Sequence, residues 1–470
     1  MLSSKFNLMQ DFEKDEESLG SIRPEKCSDP VEFIENIAEN MDIDGNKVDI
    51  NEQLAKALTT FEYTNDNIFI MGRAGTGKSV FIKALSEFSS KNFAILAPTG
   101  VAAVQVGGQT IHSFFKLPLG IVTPNMLHSS SRMTEILKAL DAIIIDEISM
   151  VRIDVFSSIN SLLKIACGNK LPFGGKQIVI IGDIFQLPPV VQREEKTVID
   201  QLFSSRWFFA EPDLNTFNLI PFTKIYRQSD ENFKDILNRI RNGSFSRIDL
   251  IEINKCVRPI VGRAIKPIVV TTVNAKADAI NSEKLREIQK PLWVFKGITE
   301  NDFPNSYKIA PDTLELKEGA QVMILRNIPS QEIYNGMLAT VVSFDKENNV
   351  IYVKDNMTGR TKRIERLTWE RYDYSVSATK DVTKQTKGKY TQYPLKLAWA
   401  VTIHKVQGQT YGTVIVDAHL RAFEYGQIYV ALSRVKTMSG LYLSRAIRAE
   451  EIMVDPDVKD FIKRNNLSQF

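Results

Sequence analysis

Residues 67–85 read NIFIMGRAGTGKSVFIKAL. An apolar run, NIFIM, meets a glycine-rich bend, and beyond it SVFIKAL places apolar residues at helical spacing. Gly72 to Ser79 fit the pattern G-x4-G-K-[ST] in the strand-to-helix setting that gives the pattern meaning. Glycines let the backbone curl until several N–H groups face one anion, and the helix N-terminus adds partial positive charge. The reading is a phosphate cradle of Gly75, Thr76, Gly77 and Lys78, with Lys78 on the β and γ phosphates and Ser79 on magnesium. Such a cradle needs a parallel sheet behind it, and the flanking sequence supplies one.

On both sides of the cradle the same alternation recurs: FAILAP then TGVAAVQV, AIIIDE, and QIVIIGD. Continuous apolar runs such as Ala142 to Ile145 belong to strands buried on both faces, as in α/β proteins. A second α/β unit starts near Phe203, shows PIVVTTVN and KADAINSEKLREIQ, and resumes near Leu395 with GTVIVD. Between them, KEGAQVMILRN, MLATVVSFD and NVIYVKDN are short β segments separated by turns, which predicts a small β-barrel inserted into the second unit.

Composition bounds what this architecture serves. The chain has 470 residues, 43% hydrophobic and 24% charged, which suits about three globular domains. No run approaches a membrane span. Cys27, Cys167 and Cys256 form no CxxC pair, and the four histidines are scattered, so neither disulfides nor a protein-held metal cluster is expected. The start, MLSSKFNLMQDFEKDEESLG, has no signal or presequence pattern, and a cytoplasmic location is expected, nucleoid-associated in a bacterium. Net charge is +3, yet residues 1–50 hold 5 Lys/Arg against 13 Asp/Glu, leaving a basic excess in the rest that suits a polyanion. The first 48 residues are expected to be an acidic mobile arm carrying one short amphipathic helix, VEFIENIAENM.

Asp146 and Glu147 end the strand AIII. Asp146 is assigned to magnesium, through water, and Glu147 to the general base that polarises the attacking water. Asn46-Lys47-Val48-Asp49 matches a guanine-reading pattern but lies upstream of the cradle, where it is taken as chance. Gln53, whose amide pairs with a donor and an acceptor together, is taken as the adenine reader, so the nucleotide is ATP with Mg2+.

The remaining motifs are APTGVAA (97–103), TIHSFF (110–115), GDIFQLPPV (182–190), IYRQ (225–228), LAWAVTIHKVQGQT (397–410) and QIYVALSRV (427–435). Together, and in this order, they resemble the Pif-one (petite integration frequency) helicases of superfamily one, relatives of RecD and of the phage helicase Dda. The resemblance runs from about residue 50 to 450. It implies two RecA-like P-loop domains with an inserted SH3-like β-barrel. Domain 1A is expected at 49–202, with a small separating element, 1B, at 116–131. Domain 2A is expected at 203–290 and 395–452, the inserted 2B at 291–394, and a C-terminal tail at 453–470.

The resemblance also assigns roles. Gln186 senses the γ phosphate, while Arg227 and Arg434 reach the phosphates from the second domain. Thr99 and His112 on the first domain, with Thr272, Asn274, His404 and Lys405 on the second, contact the strand. Phe114 either stacks on a base or packs in the core. Residues 351–397, with eleven Lys/Arg against five Asp/Glu and Trp369, Tyr372 and Tyr374 interspersed, are either a strand-guiding surface or a solvated basic loop. The implied function is an ATP-dependent 5′-to-3′ DNA helicase acting as a monomer on single-stranded and duplex or fork DNA, without a membrane. Open alternatives are an RNA-directed helicase and a strand-binding or annealing module with incidental ATPase. The resemblance leaves the cellular pathway undecided among replication, repair and telomere maintenance.

Overall fold

The computed structural model describes residues 27–467 except 44–45, 74, 119, 124–125, 193–194, 225–229, 260–266, 327, 334, 377–381, 404–410 and 418–423. Six parallel strands form the first sheet. Their order is Gln109–Thr110, Phe93–Ala97, Ala142–Ile145, Gln177–Gly182, Ile68–Gly72 and Asn218–Phe222. Side chains alternate faces along a strand, and the burial follows that period. Ile68, Ile70, Ile144, Val179 and Ile181 pack with Phe61, Phe81 and Leu85 of helices Glu52–Tyr63 and Lys78–Phe88. Phe69, Met71, Ile143, Ile145, Ile178 and Ile180 pack with Phe156, Ile159 and Leu163 of helix Ile153–Cys167. The apolar runs are continuous because both faces are covered.

A second parallel sheet runs Ala400–Thr402, Ile268–Thr271, Val414–Val416, Leu441–Leu443. Between its first two strands in sequence lies the inserted β domain. Its five-stranded antiparallel sheet (Thr361–Ile364, Val350–Asp355, Leu338–Asp345, Gln321–Ile324, Leu395–Leu397) and the ribbon Trp293–Lys296/Thr313–Leu316 enclose Phe295, Leu314, Val322, Ile351, Val353 and Tyr393. The chain is therefore two RecA-like α/β units, the first carrying the phosphate loop, and an SH3-like β-barrel. A further three-stranded sheet is built on the long hairpin Leu367–Val376/Val382–Gln392. Where this part meets the first unit, the Thr110 and Tyr307 hydroxyls hydrogen-bond at 2.7 Å and Arg371 donates to Ser113 at 2.9 Å.

Four expected boundaries move. Helix Pro30–Asn40, capped by Asp29, buries Phe33 and Ile37 against the first unit, so the acidic arm cannot extend as a mobile segment to residue 48. Strand Asn218–Phe222 pairs with the phosphate-loop strand, which carries the first unit past residue 203. Leu395–Leu397 pairs with Gln321–Ile324, so the barrel runs beyond residue 394. Within the expected C-terminal tail, helix Pro456–Arg464 packs on the first unit: Phe461 stacks on Phe209 at 4.7 Å and leans on Phe69 at 6.3 Å, while Trp207 donates its indole N–H to Asp455 at 3.0 Å.

Candidate nucleotide and strand-binding site

The cradle has the curled backbone its glycines require. Gly75 and Gly77 have φ of 82° and 94°, and Gly77 caps helix Lys78–Phe88. Gly72 leaves no room for a side chain, since a Cβ there would stand 2.4 Å from Thr76 Oγ1. Thr76 donates to the Arg73 carbonyl at 2.9 Å. Lys78 lies across the loop, donating to the carbonyls of Gly72 at 2.7 Å and Arg73 at 2.6 Å. Ser79 is exposed on the helix's first turn.

Parallel register brings the strand ends together. Met71 is level with Gly182, and Ile145 with Ile180, so Gly72, Asp183 and the Asp146–Glu147 pair share the carboxyl edge of the sheet. Glu147 sits in the left-handed region at φ 51°, an uncommon conformation for a residue with a Cβ. Burial, and after it the neighbouring Asp146, push the Glu147 carboxyl up to about 7, against the pull of Lys78. Burial likewise raises Asp146 above its ordinary value. Two crowded carboxyls beside a lysine suit a site that receives both a cation and a polyanion. Ser79 and Asp146 are hard oxygen donors of the kind magnesium takes, so the residues fit the ion expected with ATP.

Gln186 is buried among groups from the second unit. Its backbone N–H bonds to Asp183 O at 3.0 Å, and its Oε1 has no partner among the described residues. Asp183 receives Arg241 at 2.9 Å and the Tyr429 hydroxyl at 3.3 Å, with both charged side chains wholly buried. Burial pushes the Asp183 carboxyl up, but Arg241 and Lys78 outweigh it and hold it below the ordinary carboxylate range. The Arg241 guanidinium also stands 4.0 Å from the Phe185 ring centre. Gly426 presses on the same loop, where a Cβ would meet the carbonyls of Phe185 and Gln186 at 2.7 Å. Arg434 is fully buried, bonded to Val430 O and Ser433 Oγ at 2.7 Å, and burial lowers its guanidinium's proton affinity despite nearby Glu147 and Asp183. Arg227 lies outside the described residues.

Gln53 stands in the first turn of helix Glu52–Tyr63, and its amide is engaged at both ends by Thr223, donating to Oγ1 and accepting from the N–H, each at 2.9 Å. Thr99 caps helix Gly100–Gln105 by accepting from Ala102 N–H at 3.2 Å. With His112 it lines a cleft of about 500 Å³ whose other walls include Arg152, Leu187, Pro188 and Val190. His112 is half-buried, and that burial lowers its pKa. Thr272 and Asn274 follow strand Ile268–Thr271; Thr272 Oγ1 has no partner among the described residues, and Asn274 accepts from Thr402 at 3.1 Å. His404 and Lys405 lie outside the described residues. Phe114 requires a correction: it is 3% exposed and packs edge-on against Phe115 at 4.9 Å, so it belongs to the core and offers no face to a base. Trp369 is also buried, stacked on Tyr390 at 5.8 Å, and does not contribute to a strand-guiding surface.

Sequence reading missed Arg241, Asp183 and Tyr429 as a cluster. Asp183 and Tyr429 stood inside quoted motifs, but Arg241 ends an ordinary amphipathic helix, Glu231–Asn242, and only tertiary packing shows its charge turned inward.

The sequence profile of the PIF1-like helicase family matches residues 49–249. The ATP-dependent DNA helicase Pif1 of Bdellovibrio bacteriovorus is 31% identical, covering 89% of this chain and 92% of that one. The ATP-dependent DNA helicase RRM3 of Saccharomyces cerevisiae is 31% identical over 85% of this chain, which spans 65% of the yeast protein's length. Among solved structures, Bacteroides sp. Pif1 with ADP-AlF4 superposes with a TM-score of 0.83 at 34% identity, covering 90% of this chain and 98% of that one. The same helicase bound to single-stranded DNA gives 0.64 at 35% identity and the same coverage.

Proposed function

This chain belongs to the PIF1-like helicase family, and from that premise we propose that it is an ATP-dependent DNA helicase that translocates 5′-to-3′ along single-stranded DNA and opens duplex ahead of it. One observation carries the reading. The loop 182–190 holds Asp183 and Gln186 at the nucleotide edge, is gripped there by Arg241, Tyr429 and Gly426 of the second unit, and continues as Leu187, Pro188 and Val190 into the cleft wall shared with Thr99 and His112. A change at the γ phosphate therefore has a short covalent path to the strand cleft and to the position of the other unit.

In the proposed cycle Lys78 and the loop N–H groups hold the phosphates, Glu147 takes the proton of the attacking water, and Arg434 and Arg227 stabilise charge on the transferred group. Ser79, and Asp146 through water, would hold magnesium, which would supply charge neutralisation at the phosphates. Gln186 carries the state of the γ phosphate to Asp183 and the second unit. Thr99, His112, Thr272, Asn274, His404 and Lys405 grip the strand, by contacts suited to the phosphate backbone. The segment 116–131 separates strands. The working unit is one chain, because both sides of the nucleotide site come from the same chain.

Duplexes with a single-stranded tail at either the 5′ or the 3′ end, supplied with ATP and magnesium, test the reading. Unwinding requires the 5′ tail. Efficient opening from a 3′ tail alone overturns the polarity, unwinding of RNA but not DNA overturns the substrate, and DNA-stimulated ATPase without opening of either duplex leaves a translocase.

A further inference from the structure

Arg152 precedes helix Ile153–Cys167 and is almost fully covered. Its guanidinium spends its donors on the first turn of its own helix and on two other segments of the chain. Nε and Nη2 fork onto the two oxygens of Asp154 at 2.8 and 2.7 Å, Nη1 meets Glu195 at 2.7 Å, and Nη2 also donates to the carbonyl of Gly120 at 2.7 Å. Asp154, whose side chain has no exposed surface, accepts the Val122 N–H at 2.9 Å, and Glu195 accepts the Gln192 N–H at 2.9 Å. The segment 120–122 is thus held by a carbonyl at one end and an N–H at the other. Leu117, Val122 and Leu127 anchor the same segment in the core, but apolar contacts are non-directional and fix its depth rather than its lateral position. The fork supplies direction. The hub also lies in the cleft wall: Gly120, Arg152, Gln192 and Glu195 stand in the same lining as Thr99 and His112.

We propose that Arg152, with Asp154 and Glu195, is the positioning residue of strand separation: it fixes segment 116–131 relative to the strand cleft so that each translocation step opens base pairs. The inference rests on the reading of 116–131 as the separating element. An ammonium cannot replace the fork, because one point charge does not hold three acceptors in a plane. Loosening the hub lets the separator yield under load while ATP turnover continues, so the chain slips.

The experiment measures base pairs opened per ATP hydrolysed on one 5′-tailed duplex, for the parent chain, Arg152→Lys, Glu195→Gln and Met126→Ser. Met126 is 51% exposed on the separator and belongs to none of the hub bonds. Arg152→Lys lowers the ratio below the parent value, and Glu195→Gln, which keeps the fork on Asp154, lowers it less. A merely structural role would reduce unwinding and ATPase together and leave the ratio at the parent value, which overturns the proposal. If Arg152→Lys does not fold, an unaltered ratio in Glu195→Gln overturns it equally. A fall only in Met126→Ser removes the hub and keeps the separator, whereas parent ratios in all three variants remove the separator reading itself.

Discussion

Lys78 shows at one residue how the site is prepared. Its ammonium spans the cradle and bonds to the loop's own carbonyls, so the side chain is already laid where a phosphate would compete for it. Preorganised charge of this kind is worth far more in a covered site than in water. Lys78→Ala is expected to lower ATP turnover by about 10²-fold or more while single-strand affinity stays near the parent value, because the cleft residues are different ones. Parallel ATPase and strand-binding titrations check this, and hydrolysis within a few-fold of the parent would remove Lys78 from the chemistry. Glu147 is prepared differently. A left-handed backbone sets where its carboxyl emerges, and burial beside Asp146 brings its pKa near 7, the range in which a base is effective. Glu147→Gln keeps the shape and loses basicity, so ATP still binds while single-turnover hydrolysis falls by roughly 10² to 10⁴. A parent-like hydrolysis rate would assign the base elsewhere.

Helix Arg247–Asn254 begins with a reciprocal cap. Ser246 accepts the Asp249 N–H at 3.2 Å, and Asp249 accepts the Ser246 N–H at 2.8 Å as well as two bonds from Arg239. The Arg239 bonds come first among the causes that hold the Asp249 carboxyl down to about 2. A carboxyl depressed by folding stabilises the fold above its unfolded value, and that contribution is lost as pH falls through the folded one. Asp249→Asn should therefore cost on the order of 1 kcal/mol at neutral pH, less than the full shift because the Arg239 partner is partly in solvent, with the penalty shrinking between pH 3.8 and pH 2. Urea melts across that range test it, and a pH-independent penalty would assign the effect to lost packing. The central elements were legible because a strand buried on both faces has to be apolar throughout, as Ala142–Ile145 is. Elements at the margins were not. Asn218–Phe222 is an edge strand with Pro221 and an exposed Asn218, and nothing local shows that it pairs with a strand about 150 residues earlier. Helix Pro456–Arg464 is amphipathic in sequence, but its partner, Phe209, is far away in the chain. Phe114 illustrates the same limit: in a five-residue helix, spacing cannot say which of two adjacent phenylalanines faces inward, and both do.

Across the whole molecule the two units meet through a charge pair that no local pattern announces. Asp183 belongs to the first sheet's carboxyl edge. Arg241 lies on a helix packed against Gln427–Leu432 of the second unit, and Tyr429 of that latter helix reaches the same carboxylate. Removing one member of a buried pair strands the other charge and costs roughly 3 to 5 kcal/mol, whereas removing both together costs much less. Arg241→Met keeps length and loses charge; Asp183→Asn keeps shape and loses charge. Each single change should destabilise the chain by about that amount, and the double change by clearly less than their sum, since the two residues share one interaction. The same pair is a buried polar tie beside Gln186, so its loss should also shrink the difference in single-strand affinity between the ATP-analogue-bound and ADP-bound chain. A ligand shifts an arrangement only by its differential affinity for the two states. With the tie lost, the second unit registers less of the difference between the nucleotides that the first one holds. Denaturant melts of the four proteins and strand titrations with each nucleotide provide the test. Additive penalties would show that the two side chains act independently, and an undiminished nucleotide response would place the link between the units elsewhere than Asp183.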